Sequence, residues 1–61
     1  MKYNVGDTVI VHMDEHTGYI VEIIHIMDED TYKVRESLPT GNIYGELYDS
    51  DSNHHLLENI D

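Results

Sequence analysis

The sequence predicts an all-β fold, a single small five-stranded barrel spanning residues 1–61, on three observations. Isoleucine and valine far outnumber leucine, and alanine is absent, which favours strands over helices. Apolar and polar side chains alternate with period two in several short stretches. Clusters of Gly, Asp, Asn, Ser and Pro separate those stretches and supply the turns.

Gly6 and Asp7 open the first strand, 8–13, in which Val9, Val11 and Met13 face one way and Thr8, Ile10 and His12 the other. Residues 14–17 form a polar loop. Gly18 begins a longer strand to about residue 27, whose uneven alternation of Ile20, Ile23, Ile24 and Ile26 predicts a bulge or bend near Glu22. After a turn at Asp28, Glu29 and Asp30, the third strand covers 31–36 with Tyr32 and Val34 inward and Lys33 and Arg35 outward. Residues 37–42 read as a loop with Pro39 and Gly41 fixing its ends, and 43–48 as the fourth strand. Residues 49–53 suit a turn or a single 3₁₀ turn before a last short strand at about 56–60. No internal repeat is expected. Val5 and Leu57 count among the aliphatics that supply the core, and Ile10, Val21, Ile24 and Ile26 exceed what so small an interior holds, so the expected state is a monomer or weak homodimer.

Five short strands, a bent second strand and a tight turn before the fifth follow the plan of an SH3-like barrel. The pattern Val5-Gly6-Asp7-x-Val9-x-Val11, then Gly18-x-Ile20-x-x-Ile23, Tyr32-x-Val34 and Leu57-x-x-Ile60 resembles the small barrels of the KOW and Tudor-like group over nearly the whole chain. Gly6 and Gly18 stand where a turn needs positive φ or a close backbone approach. The resemblance implies a fold, and this architecture carries several unrelated functions.

Composition narrows those functions. Thirteen acidic residues against three basic ones give a net charge of −10, which repels nucleic acid and anionic lipid and attracts cationic partners. Where nucleic-acid-binding KOW barrels resemble one another in basic loops, this chain has Asp14, Glu15, Asp28, Glu29 and Asp30. The absence of Cys removes disulfides, thiol nucleophiles and cysteine zinc sites, and points to a reducing compartment. The longest apolar run, 19–27, is interrupted by Glu22 and His25 and is too short to cross a bilayer, and no apolar leader follows Met1; a cytoplasmic location is the expectation.

No nucleophile stands beside a plausible base, so no catalytic residues are expected, and no cofactor or metal either. Asp49-x-Asp51-x-Asn53 matches the opening of a calcium loop, but His54 stands where glycine is needed and Ile60 where a bidentate Glu belongs. A zinc site from His12, His16, His54 or His55 requires two distant regions to meet in space; solvated histidines are the simpler reading, with His25 half-buried and hydrogen-bonded. Five tyrosines, Tyr3, Tyr19, Tyr32, Tyr44 and Tyr48, leave room for an aromatic cage, although Tyr32 and one or two others are expected in the core.

The expected function is a small, non-enzymatic protein-interaction module that binds a basic partner surface. Its contact residues are expected among Asp14, Glu15, Tyr19, Asp28, Glu29, Asp30, Tyr44, Tyr48, Asp49 and Asp51. The alternative is an inhibitor that imitates nucleic acid in the groove of a DNA- or RNA-handling enzyme: Asp28-x-Asp30 and Asp49-x-Asp51, if extended, repeat at about 6.5 Å against roughly 7 Å for phosphates along one strand. An Ile-, Asn-, Asp- and Tyr-rich composition suits an AT-rich genome such as that of a bacteriophage, where such an inhibitor would belong.

Overall fold

Five antiparallel strands form one sheet in the order β4-β3-β2-β1-β5: β1 (Thr8–His12), β2 (Gly18–Ile26), β3 (Thr31–Leu38), β4 (Ile43–Tyr48) and β5 (His54–Leu56). The computed structural model describes residues 2–38 and 43–57. The chain runs as a meander through β4, and β5 then returns to pair with β1, Val11 lying opposite His54 and Val9 opposite Leu56. Among the described residues β4 and β5 are the two edges and do not pair, so strand hydrogen bonding does not close the expected barrel. Their adjacent ends are linked by His54, whose ring Nε2 lies 2.9 Å from the Tyr48 carbonyl oxygen.

Alternation places the core where the sequence expects it in the centre of the sheet. Val9, Val11, Val21, Ile23, Tyr32, Val34 and Leu47 are buried, because each occupies the inward position of its strand. The second strand is irregular on both sides of Glu22, with register shifts between Ile20 and Val21 and between Ile23 and His25. Bulges of this kind bend and twist a strand, and β2 pairs with β1 on one side and β3 on the other.

Several expectations are corrected. Met13, Val5 and Leu57 are exposed rather than buried, Met13 because β1 ends at His12, Val5 because it sits in the turn before Gly6, and Leu57 because it follows the end of β5 at Leu56. Tyr3 joins the core instead, buried against Tyr32 with ring centroids 5.4 Å apart. β3 continues two residues past Glu36, with Ser37 as the extra residue opposite the first β2 irregularity and its hydroxyl donating to the Ile20 carbonyl at 3.2 Å. His25 is exposed, since the extra residue Ile24 turns it away from the core. The turn expected before β5 is present, the Asp51 N–H donating to the Tyr48 carbonyl at 3.1 Å. β5 begins at His54, two residues before its expected start, because the His54 ring is drawn into the core; residues 58–60 of the expected strand and the Pro39–Gly41 loop ends lie outside the described residues.

The two glycines differ in their reasons. Gly6 has φ +97°, a conformation that L side chains rarely adopt. Gly18 has no positive φ, but a Cβ there would stand 2.6 Å from the Val11 carbonyl oxygen.

Candidate partner-binding surface

The hairpin loops at the two ends of β2 are built from one pentapeptide. Met13-Asp14-Glu15-His16-Thr17 and Met27-Asp28-Glu29-Asp30-Thr31 differ at a single position, a repeat that an element-by-element reading of the sequence misses. Both fold identically: the Met N–H donates to the Thr carbonyl at 2.9 Å in each, and the Asp N–H to the same carbonyl at 3.2 and 3.4 Å. The Asp carboxylate then accepts the backbone N–H two residues on, at 2.8 Å from His16 and 2.9 Å from Asp30. Such Asx bonds favour the ionised carboxylate. The His16 N–H holds the Asp14 carboxyl below its usual range and the Asp30 N–H does the same for Asp28, with the following threonine contributing in both.

At the second of these loops the acidic residues are gathered into one surface. The Asp49 N–H donates to the Asp30 carbonyl at 2.8 Å, the Ser50 N–H to the Asp30 carboxylate at 3.0 Å and the Ser50 hydroxyl to its other oxygen at 3.4 Å. The turn 48–51 is thereby joined to the turn 27–30, although 20 residues separate the partners Asp30 and Ser50. From beneath, the buried Tyr32 hydroxyl donates to the Asp49 carboxylate at 3.0 Å while accepting the Lys2 and Tyr3 N–H groups at 3.1 and 3.2 Å. Exposed Tyr48 donates to Glu46 at 3.2 Å, and its hydroxyl is pushed up in pKa first by that bond and then by the negative field of Glu46, with Asp51 and Asp28 adding to it. Lys33 sits opposite Glu46 across the β3–β4 ladder, and Arg35 is bonded to Glu22 at 3.0 Å.

Of the expected contact residues, Asp28, Glu29, Asp30, Tyr48, Asp49 and Asp51 therefore belong to this surface. Asp14, Glu15 and Tyr19 stand at the opposite end of β2, lining an open groove of about 470 Å³ with Ile10, His12 and His16. Tyr44 is exposed in the middle of edge strand β4, opposite Arg35. Among the described residues no aromatic cage is assembled: Tyr3 and Tyr32 are consumed by the core, Tyr19 and Tyr48 stand at opposite ends of the hairpin arrangement, and Tyr44 lies opposite Arg35. Nor do Asp49, Asp51 and Asn53 converge on a cation, since Asp49 accepts from Tyr32 and the Asn53 amide donates to the His12 carbonyl at 3.2 Å. The local extension that a phosphate-like repeat needs is absent, because Asp28-x-Asp30 and Asp49-x-Asp51 are both folded into turns.

His54, expected to be solvated, is instead buried and hydrogen-bonded on both ring nitrogens. A carbonyl oxygen only accepts, so the ring Nε2 facing Tyr48 carries the proton and Nδ1 accepts from the Tyr3 hydroxyl at 2.8 Å. Burial raises the Tyr3 pKa, with Tyr32 and Asp49 adding to it. This clasp ties the N-terminal segment to both sheet edges and steadies the acidic turn that begins at Tyr48. No helix among the described residues is long and apolar enough to cross a membrane. No family model, curated protein or solved structure matches this chain.

Proposed function

We propose that the protein is a small, non-enzymatic interaction module that binds a basic segment of a partner protein through the joined turns at 27–30 and 48–51. One observation carries this reading: Asp28, Glu29, Asp30, Asp49 and Asp51, distant in sequence, share a single surface held by the Asp30 bonds to Asp49 and Ser50. Concentrated like charge raises the local density of cationic partners and speeds their encounter. Exposed Tyr48 offers a flat face beside it, on which an arginine or lysine side chain can stack. The proposed fold is an SH3-like barrel of the KOW and Tudor-like kind, supported by the meander order, the return of β5 to β1 and the bent β2. A cysteine-free composition supports a place in the cytoplasm.

The test is a titration of the isotope-labelled protein with a Lys/Arg-rich peptide, followed by amide chemical shifts at low and high salt. Shifts should concentrate at residues 28–31 and 46–51 and weaken with salt, and Glu29→Gln with Asp51→Asn should weaken binding without disturbing the fold. Shifts spread evenly over every acidic loop would mean charge without a site. Competition by DNA for a captured natural partner would move the reading to nucleic-acid imitation.

A further inference from the structure

The end of the sheet away from the acidic surface brings together two histidines that are 43 positions apart in the chain. His12 at the end of β1 and His55 in β5 lie diagonally on the outer face, with His12 Nε2 3.2 Å from His55 Nδ1 and ring centroids 4.9 Å apart. Both side chains are exposed, and neither ring has another hydrogen-bond partner among the described residues. Their backbones are fixed: the His12 N–H donates to the Asn53 carbonyl at 2.7 Å, the Asn53 amide returns a bond to the His12 carbonyl at 3.2 Å, and His55 pairs with Ile10 in the ladder. The two imidazoles are therefore presented by paired strands rather than by a loop.

We propose that His12 and His55 form a binding site for a borderline divalent transition-metal ion, Zn²⁺ or Cu²⁺ in class. Two imidazole nitrogens bound to one ion at about 2.0–2.1 Å stand roughly 2.9–3.4 Å apart for bond angles between a right angle and tetrahedral, and the observed 3.2 Å falls inside that span. At present one ring donates to the other. Moving that proton to the far nitrogen of the donor ring leaves His12 Nε2 and His55 Nδ1 both unprotonated, the form in which neutral imidazole ligates, and a rotation of the exposed rings turns the two lone pairs toward one ion. Among the described residues no third His, Asp or Glu completes a preformed set, so water fills the remaining positions. His16 and the carboxylates of Asp14 and Glu15 share the groove that His12 lines, and their negative charge favours a cation there. Nitrogen ligands separate this site from the acidic turns, which offer only oxygen and suit harder ions.

The test is calorimetric titration of the full chain with Zn²⁺, Cu²⁺ and Mg²⁺ at a salt concentration that screens diffuse carboxylate binding, together with electron paramagnetic resonance of the Cu²⁺-loaded protein. One ion per chain, Cu²⁺ tighter than Zn²⁺, no Mg²⁺ binding at the site and coupling to two nitrogens are expected. His12→Gln and His55→Gln should each weaken Zn²⁺ binding about tenfold or more, whereas His25→Gln should leave it unchanged. Equal binding by the His12 and His55 variants, or effective competition by Mg²⁺, would overturn the proposal. Nitrogen coupling is read on the unaltered protein, so a spectrum without two nitrogens overturns it even if a variant fails to fold.

Discussion

Tyr32→Phe isolates the oxygen on which the N-terminal segment and the acidic turn both depend. The ring of Tyr32 is fully buried and Phe preserves it, so the change removes only the hydroxyl and its three bonds, to Lys2 N, Tyr3 N and Asp49 Oδ1. A bond to a charged acceptor contributes about 1.5–3 kcal/mol and a neutral one about 0.5–1.5. Lys2 is exposed and its N–H can regain a water, whereas the Tyr3 N–H bond is buried and loses its partner outright. The expected loss is therefore about 3 kcal/mol. Against a total of roughly 3–9 kcal/mol for a domain of this length, that leaves the variant near its stability threshold. Thermal unfolding followed by circular dichroism should show Tm lower by roughly 12–24 °C, with exposed Tyr44→Phe as the unchanged control. A Tm within about 3 °C of the parent would refute the three-bond account of Tyr32.

Gly18→Ala should destabilise the protein by about 2 kcal/mol, since its Cβ would meet the Val11 carbonyl oxygen at 2.6 Å and a paired strand cannot move aside; a neutral result in denaturant unfolding would remove the close approach of β1 and β2. Acid should open the two pentapeptide loops locally. Asp14 and Asp28 have pKa values lowered by backbone N–H bonds, so their contribution is present above the unfolded value of about 3.9 and is lost as pH falls through the lower folded values. In amide spectra His16, Thr17 and Asp30 should then move together below about pH 4, and titration of both carboxyls at the ordinary value would contradict the Asx bonds.

The centre of the sheet is legible in the sequence because period-two alternation of β-branched and aromatic residues leaves Val9, Val11, Tyr32 and Val34 only one inward face. Alternation fails where a side chain is held by a long-range polar bond. Tyr3 precedes the first strand and shows no period, yet it is buried because its hydroxyl finds His54 and its N–H finds Tyr32. His54 lies between the expected turn and the expected strand, and the same kind of bond makes β5 begin two residues earlier than alternation predicts. The acidic residues of the proposed surface are each visible in the sequence. Their union is not, because it rests on Asp30 bonds to Asp49 and Ser50 that no local pattern encodes.

One substitution within the repeated pentapeptide accounts for the different character of the two ends of β2. Both loops use their Asp and Thr in the same way, and both present a glutamate outward, so the shared residues cannot distinguish them. The fourth position does. Asp30 turns a two-oxygen acceptor toward Ser50 and draws the turn 48–51 against its own, adding Asp49 and Asp51 to the surface. His16 has no such carboxylate, and its loop stands apart beside an open groove with His12 and the nearby His55. The same loop geometry thus yields an oxygen-rich end, the proposed site for lysine and arginine, and an end flanked by the paired histidines of the proposed metal site. If the fourth residue makes that difference, Asp30→His should separate the turns 27–30 and 48–51 while leaving the Asp28 loop folded.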